Sequence, residues 1–213
     1  MTPGEFRGVL DDLATVMLSD LADMWAIAPD TAWLFEAFPE LVTPYVSTAG
    51  ELSATWYDSL EPGSAFRATP AELPPEPQLR ASLGWALSKP STTELLAGAA
   101  QRYLFNGSRD TVRASARAER GASWGRYASA SACRFCQVLT TRGHVYRSEH
   151  TADFRAHDHC RCIAVPIRPG QSWQPPDYVQ QWTDDYHQAA RLAGSTDARE
   201  LMKAYRQMDR ETT

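Results

Sequence analysis

All four cysteines of this 213-residue chain lie within one short segment, from Cys133 to Cys162. The segment begins with the string CRFC, continues with twenty other residues and ends with the string HDHCRC. A disulfide framework joins distant parts of a small secreted fold, so this clustering argues against one. Two cysteine pairs with adjacent histidines are instead typical of a metal site, and the pattern predicts that the centre of the chain is organised by one zinc ion.

The two strings offer six potential ligands for the four positions of a tetrahedral zinc ion. The preferred set is Cys133, Cys136, His157 and Cys160, with Cys162 as the first substitute and His159 as the last. Four protein ligands leave no coordination position for water. We therefore predict a structural Zn2+ that stabilises the fold, with no catalytic residues.

Two classes of metal enzyme carry related cysteine and histidine elements. Zinc deaminases place an HxE element before a PCxxC element, and neither that glutamate nor that order occurs in this chain. Phage recombination endonucleases join a CxxC to a DHC triplet, which Asp158, His159 and Cys160 reproduce. The second downstream CxxC of those nucleases is missing, so a metal-dependent nuclease stays only as an alternative.

A hydrolase would use Ser148, which lies near His144 and His150, with Asp153 further along. The chain has no GxSxG elbow around a serine, and it has no glycine-rich phosphate loop. A polar strand end explains these residues better than a catalytic triad does. These observations favour a non-enzymatic role but do not decide whether the chain is an enzyme.

The net charge of −5 hides a strong asymmetry along the sequence. Residues 1–101 carry 4 basic and 14 acidic side chains, residues 102–168 carry 12 and 5, and residues 169–213 carry 5 and 7. Arg109, Arg113 and Arg117 are spaced four apart and would share one helical face. That face is expected either to be a solvated surface or to contact phosphates. The arginine-rich middle segment as a whole would meet nucleic acid, an acidic protein surface or the acidic front of the chain itself.

Hydrophobic periodicity predicts an α+β protein that is mainly α-helical. Helices are expected over 5–28, from Asp30 to an interruption at Pro39, and over 40–60, 78–88, 92–118, 177–193 and 196–210. Between 122 and 168 the strings WGRYAS, HVYRS and CIAVPI predict short strands, which would form a small zinc-knuckle β element.

Composition divides the chain into four regions. Residues 1–60 form an acidic helical region, 61–77 a proline-rich linker, 78–168 the arginine-bearing helix with the zinc knuckle, and 169–213 a C-terminal helical region. The sequence shows no signal peptide and no run of eighteen apolar residues, so we expect an internal location without a membrane span.

The string ACRFCQVLTTRGHVYRS, followed by AHDHCRCIAVPI, resembles the motif region of phage Mu F-like head morphogenesis proteins. In particular it is similar to the minor capsid proteins of actinobacterial tailed phages, and some relatives are labelled capsid maturation proteases. The matching positions are Cys133, Phe135, Cys136, Leu139, Arg142, Gly143, Val145, Tyr146, His157, Cys160, Cys162 and Pro166. Weaker similarity extends through ATWYDSL at 54–60 and the helical flanks.

The resemblance implies a protein present in few copies inside the phage head near the portal, after assembly in the host cytoplasm. Its implied partners are the portal protein, the major capsid protein and packaged DNA. The DNA or the portal would be contacted by Arg109, Arg113 and Arg117. The implied role is in head assembly or in DNA packaging and delivery. Capsid maturation protease is the alternative that the family labels suggest.

Overall fold

A computed structural model describes residues 1–141 and 157–211 of the chain. Within these ranges the helices are α1 (Pro3–Ile27), α2 (Thr31–Ser59), α3 (Glu76–Leu87), α4 (Thr92–Ala118), α5 (Arg134–Thr140), α6 (Tyr178–Ala193) and α7 (Ala198–Glu211), and the strands are β1 (Ser123–Tyr127) and β2 (Ile163–Ile167). The predicted mainly helical architecture with a small β component is therefore confirmed.

The first helix begins where its sequence provides a complete N-terminal cap. The Thr2 hydroxyl accepts a hydrogen bond from the Glu5 amide at 3.2 Å, and the Glu5 carboxylate accepts one from the Thr2 amide at 2.7 Å. Pro3 occupies the first helical position, where its missing N–H has no intrahelical partner to lose. The buried side of α1 then repeats at steps of three and four.

The second helix continues through two prolines. Asp30 caps it as predicted, accepting a hydrogen bond from the Trp33 amide at 2.8 Å. The predicted interruption at Pro39 is wrong, because α2 is one 29-residue helix that contains both Pro39 and Pro44. Each proline removes a backbone donor, but the buried face of α2 packs against α1, α3 and α4, and this burial offsets the loss.

Helices α2 and α4 pack closely because small residues face each other. A methyl group added to Gly107 would lie 2.7 Å from the Val46 carbonyl oxygen. In the same contact between α2 and α4, the buried Ser53 hydroxyl donates to the Ser108 hydroxyl at 2.7 Å. The contact makes α4 the central helix, with α1, α2, α3 and both strands packed around it.

The two strands pair in an antiparallel sheet in which Arg126 lies opposite Ala164. Because side chains alternate along a strand, β2 contributes to two separate cores. Ile163 and Val165 pack into the helical core of α1 to α4. Ala164 and the preceding Cys162 pack on the other face, among the buried cysteines.

A buried ion pair joins the end of β2 to the ends of α2 and α4. Arg168 is 1% exposed and makes two contacts of 2.7 Å with the Glu119 carboxylate. The Tyr57 hydroxyl donates to the same carboxylate, and the Arg168 guanidinium lies 4.8 Å from the centre of the Tyr57 ring. Breaking such a pair strands a charge in the interior, so we infer that it fixes the relative positions of these three elements.

Residues between α2 and α3, predicted as a linker, lie against the helices. The Ala71 amide donates to the Thr111 hydroxyl of α4, and the Ala68 amide donates to the carboxylate of Asp58. The four-region division drawn from composition stays a prediction. Among the described helices, none has the length and apolar character needed for a membrane span.

We predict that Gly107→Ala lowers the free energy of unfolding by about 1–3 kcal/mol, because overpacking against the Val46 carbonyl outweighs the gain in helix propensity. The matched control is Gly8→Ala in α1, where an added methyl group meets nothing within 4 Å. That control should stabilise the protein by about 0.5–1 kcal/mol. Urea denaturation measures both, and a Gly107→Ala protein as stable as the unaltered chain would contradict the packing argument.

Candidate metal centre

The structure brings five of the predicted ligands together as two triads that share Cys136. One triad is Cys133, Cys136 and His157, and the other is Cys136, Cys160 and Cys162; within each, the ligand atoms lie within 4.8 Å of one another. The Cys136 sulfur is 3.2 Å from that of Cys160 and 3.6 Å from that of Cys162. The Cys133 sulfur lies 3.0 Å from Nε2 of His157.

The donor groups of this cluster suit a metal ion. Zinc–sulfur bonds of about 2.3 Å and zinc–nitrogen bonds of about 2.0 Å place tetrahedral ligands roughly 3.5–3.8 Å apart. The observed separations of 3.0 to 3.6 Å are shorter than this, by up to about 0.8 Å. All five donors are the thiol and imidazole groups that zinc prefers. The cluster could therefore hold a metal ion.

Helix α5 positions the CxxC half of the cluster. Cys133 is its extended N-cap residue, whose carbonyl accepts a hydrogen bond from the Gln137 amide, and Cys136 lies in the first turn. The prediction of short strands around the knuckle missed this helix. Its seven residues are too few for a clear period, and it forms because Cys136, Val138 and Leu139 are buried.

A tight turn positions the second half of the cluster. The Cys160 amide donates to the His157 carbonyl at 3.2 Å, and His159 between them has a left-handed backbone with φ of 62°. The His159 ring lies over Gly98 of α4, where an added methyl group would come within 2.8 Å of Nε2. His159 belongs to neither triad.

Arg109 fastens this turn to the central helix. Its guanidinium donates to the Cys162 carbonyl at 2.8 Å and to the Cys160 carbonyl at 2.7 Å, and its side chain is completely buried. Arg109 therefore does not lie on the exposed DNA or portal face that we expected. The spacing that predicted a shared face is correct for an isolated helix, but the cysteine segment covers this part of α4.

The other two arginines of that ladder lie nearer to solvent. Arg113 is partly buried and forms an ion pair with Asp110 at 2.8 Å, whereas Arg117 is exposed. Their contact with DNA or the portal stays a prediction. Other arginines of the middle segment meet the acidic front of the chain. The guanidinium of Arg161 lies 3.7 Å from Asp11 of α1, and that of Arg168 lies 3.9 Å from Glu61.

Sequence reasoning did not identify Arg126 as part of the site. This β1 residue is 2% exposed, and its guanidinium donates to the Cys162 sulfur at 2.9 Å. A charged residue between the apolar positions of a short strand was the only available signal. Its partner could not be chosen without the strand register that brings Arg126 beside the Cys160–Cys162 segment.

The surroundings shift the ionisation of the thiols in different directions. A hydrogen bond with Cys136 lowers the pKa of Cys133 to about 5, against the effect of partial burial. Hydrogen bonds with Cys133, Cys160 and Cys162 raise the pKa of Cys136. Burial opposes ionisation of Cys162, but hydrogen bonds from Cys136 and Cys160 and the positive charge of Arg126 bring its pKa well below the ordinary value.

The cluster opens on one side into a cleft of about 340 Å3 that Arg7, His159 and Arg161 also line. Of the nuclease-like triplet, Asp158 faces elsewhere, because its carboxylate is held by Arg102 at 2.6 Å. Among the predicted hydrolase residues, Ser148, His144, His150 and Asp153 lie outside the described residues, as do Arg142, Gly143, Val145 and Tyr146 of the motif.

The sequence model of the VG15 protein family matches residues 5–189, which include the whole cysteine and histidine cluster. The chain belongs to the VG15 protein family. This family is phage-associated, which agrees with the phage proteins that the motif resembles. No curated protein and no solved structure matches the chain.

We predict that Cys133 is the first thiol to be alkylated in the metal-free VG15 chain. It is exposed and its pKa is about 5, so it is a thiolate at neutral pH, whereas the other three cysteines are buried. Its rate of reaction with iodoacetamide should stay constant above about pH 6 and fall with a midpoint near pH 5, as the thiolate gains a proton. Peptide mapping by mass spectrometry identifies the alkylated residue.

The control is Cys133→Ser, which should remove the fast phase. A midpoint near the ordinary thiol value of about 8.5, or equal rates at all four cysteines, would contradict the arrangement described here.

Proposed function

We propose that this VG15 protein is a minor capsid or head morphogenesis protein of the phage Mu F-like type. It would act inside the head or at the portal, in capsid assembly and in DNA packaging or delivery. The observation that carries the proposal is that the family match spans the CxxC and HxxCxC elements, whose donor groups meet in one cluster. The match to a phage-associated family supports a phage-encoded protein, which this proposal requires.

Zinc would have a structural role in this proposal. Four of the five residues Cys133, Cys136, His157, Cys160 and Cys162 would hold it, and when bound it would supply a cross-link between the α5 turn and the start of β2. Such a cross-link stabilises a small β element without a large core of its own. That suits a protein that must keep its shape within a crowded assembly.

The C-terminal helices would depend on that same cross-link. Arg134, between the two CxxC cysteines, makes ion pairs with Asp185 of α6 and Asp209 of α7, and its guanidinium lies 5.3 Å from the centre of the Tyr205 ring. Val138 of α5 packs in one small core with residues of both helices. An ion that fixes α5 would therefore also fix the surface that the α6–α7 pair presents.

Binding to the portal protein, the major capsid protein or packaged DNA would use exposed charge. On α7 the exposed cations are Arg199, Lys203, Arg206 and Arg210, at steps of four, three and four along one helical face. These α7 cations and the exposed Arg117 of α4 can meet phosphates or an acidic protein, whereas Arg109 is buried. The acidic residues of α1 and α2 would face a basic partner.

We expect peptides of this chain in purified virions of the phage that encodes it. Protease added to intact virions should leave the chain uncut because the closed head excludes the enzyme, and digestion should begin once the heads are opened by osmotic shock. Quantitative mass spectrometry measures both, with an external tail protein as the digestion control. A chain found only in the infected-cell lysate and absent from virions would contradict the proposal.

A further inference from the structure

Two arginines approach the Cys162 sulfur from different elements of the fold. Arg126 of β1 donates to it at 2.9 Å, and the Nη2 group of Arg109 in α4 lies 4.0 Å away. Both side chains are almost completely enclosed, with exposures of 2% and 0%. A guanidinium stays charged at every pH that a protein tolerates, so two positive charges are built permanently into the wall behind this sulfur.

The same sulfur lies within 4.8 Å of the other two sulfurs of its triad. It is 3.0 Å from the Cys160 sulfur and 3.6 Å from the Cys136 sulfur. A divalent ion bound by three thiolates carries an excess of negative charge, and in a buried site that charge needs a nearby cation or donor. Arg126 and Arg109 are placed where that charge would arise.

We propose that Arg126 and Arg109 form the outer shell of the metal centre and keep Cys162 in the ligand set. Resting on the proposed structural zinc, this makes Cys162 a regular ligand where the sequence ranked it as a substitute. Arg126 would act through its charge and its N–H bond to the sulfur. Arg109 would act mainly by holding the Cys160 and Cys162 carbonyls, which aims both sulfurs into the cluster.

The test uses Co2+ as a spectroscopic substitute for zinc in the full-length chain. Sulfur-to-cobalt charge-transfer absorption grows with the number of bound thiolates, so Cys162→Ser should lose the share of one thiolate. Arg126→Gln, which keeps an N–H donor without the charge, should bind Co2+ about tenfold or more weakly, as outer-shell changes do. Arg126→Lys, which keeps the charge, should recover part of that loss.

Arg113→Met is the matched control, because Arg113 pairs with Asp110 on the same α4 helix and should leave Co2+ affinity unchanged. Circular dichroism of each metal-free variant separates a folding defect from a change at the site. A Cys162→Ser spectrum equal to that of the unaltered chain, or an Arg126→Gln affinity within twofold of it, would overturn the inference while leaving the metal centre standing. Failure of the unaltered chain to bind Co2+ would overturn both.

Discussion

The constraint on which this structure depends is the close approach of four sulfur atoms and one imidazole at the meeting point of α4, α5 and the two-stranded sheet. Three of the sulfurs are buried, with neighbouring distances of 3.0 to 3.6 Å. Thiolates at such distances repel one another strongly in an apolar interior. A cation that binds them neutralises this repulsion and cross-links the segments that carry them. We therefore interpret the cluster as a metal centre.

The rest of the fold is arranged around that point. In helix α4, Gly98 leaves room for the His159 ring to lie against the helix, and Arg109 donates hydrogen bonds to the backbone carbonyls of the CxC segment. Helix α5 connects the cluster outward to α6 and α7 through Arg134. Strand β2 separates the cluster from the helical core, since its alternate side chains enter opposite cores. A disturbance at the cluster therefore reaches both the sheet and the C-terminal helices.

The sequence predicts the helices and the membership of the cluster well, because periodicity and cysteine spacing are local signals. It fails where tertiary packing decides. Pro39 does not interrupt α2, because burial of this part of α2 in the helical core compensates for the missing hydrogen bond. Arg109 is buried, although its spacing matched an exposed ladder, and Arg126 could not be linked to Cys162 without the strand register. The family match shows that the chain belongs to a phage-associated family, and the head morphogenesis role is our proposal.

Metal analysis of the purified chain tests the central claim most directly. Protein prepared without chelator, and measured by elemental mass spectrometry, should contain about one zinc ion per chain, as expected for a single four-ligand site. Its thiols should resist titration until a chelator removes the metal. A zinc content near zero, with four thiols that titrate readily in the native protein, would contradict the account.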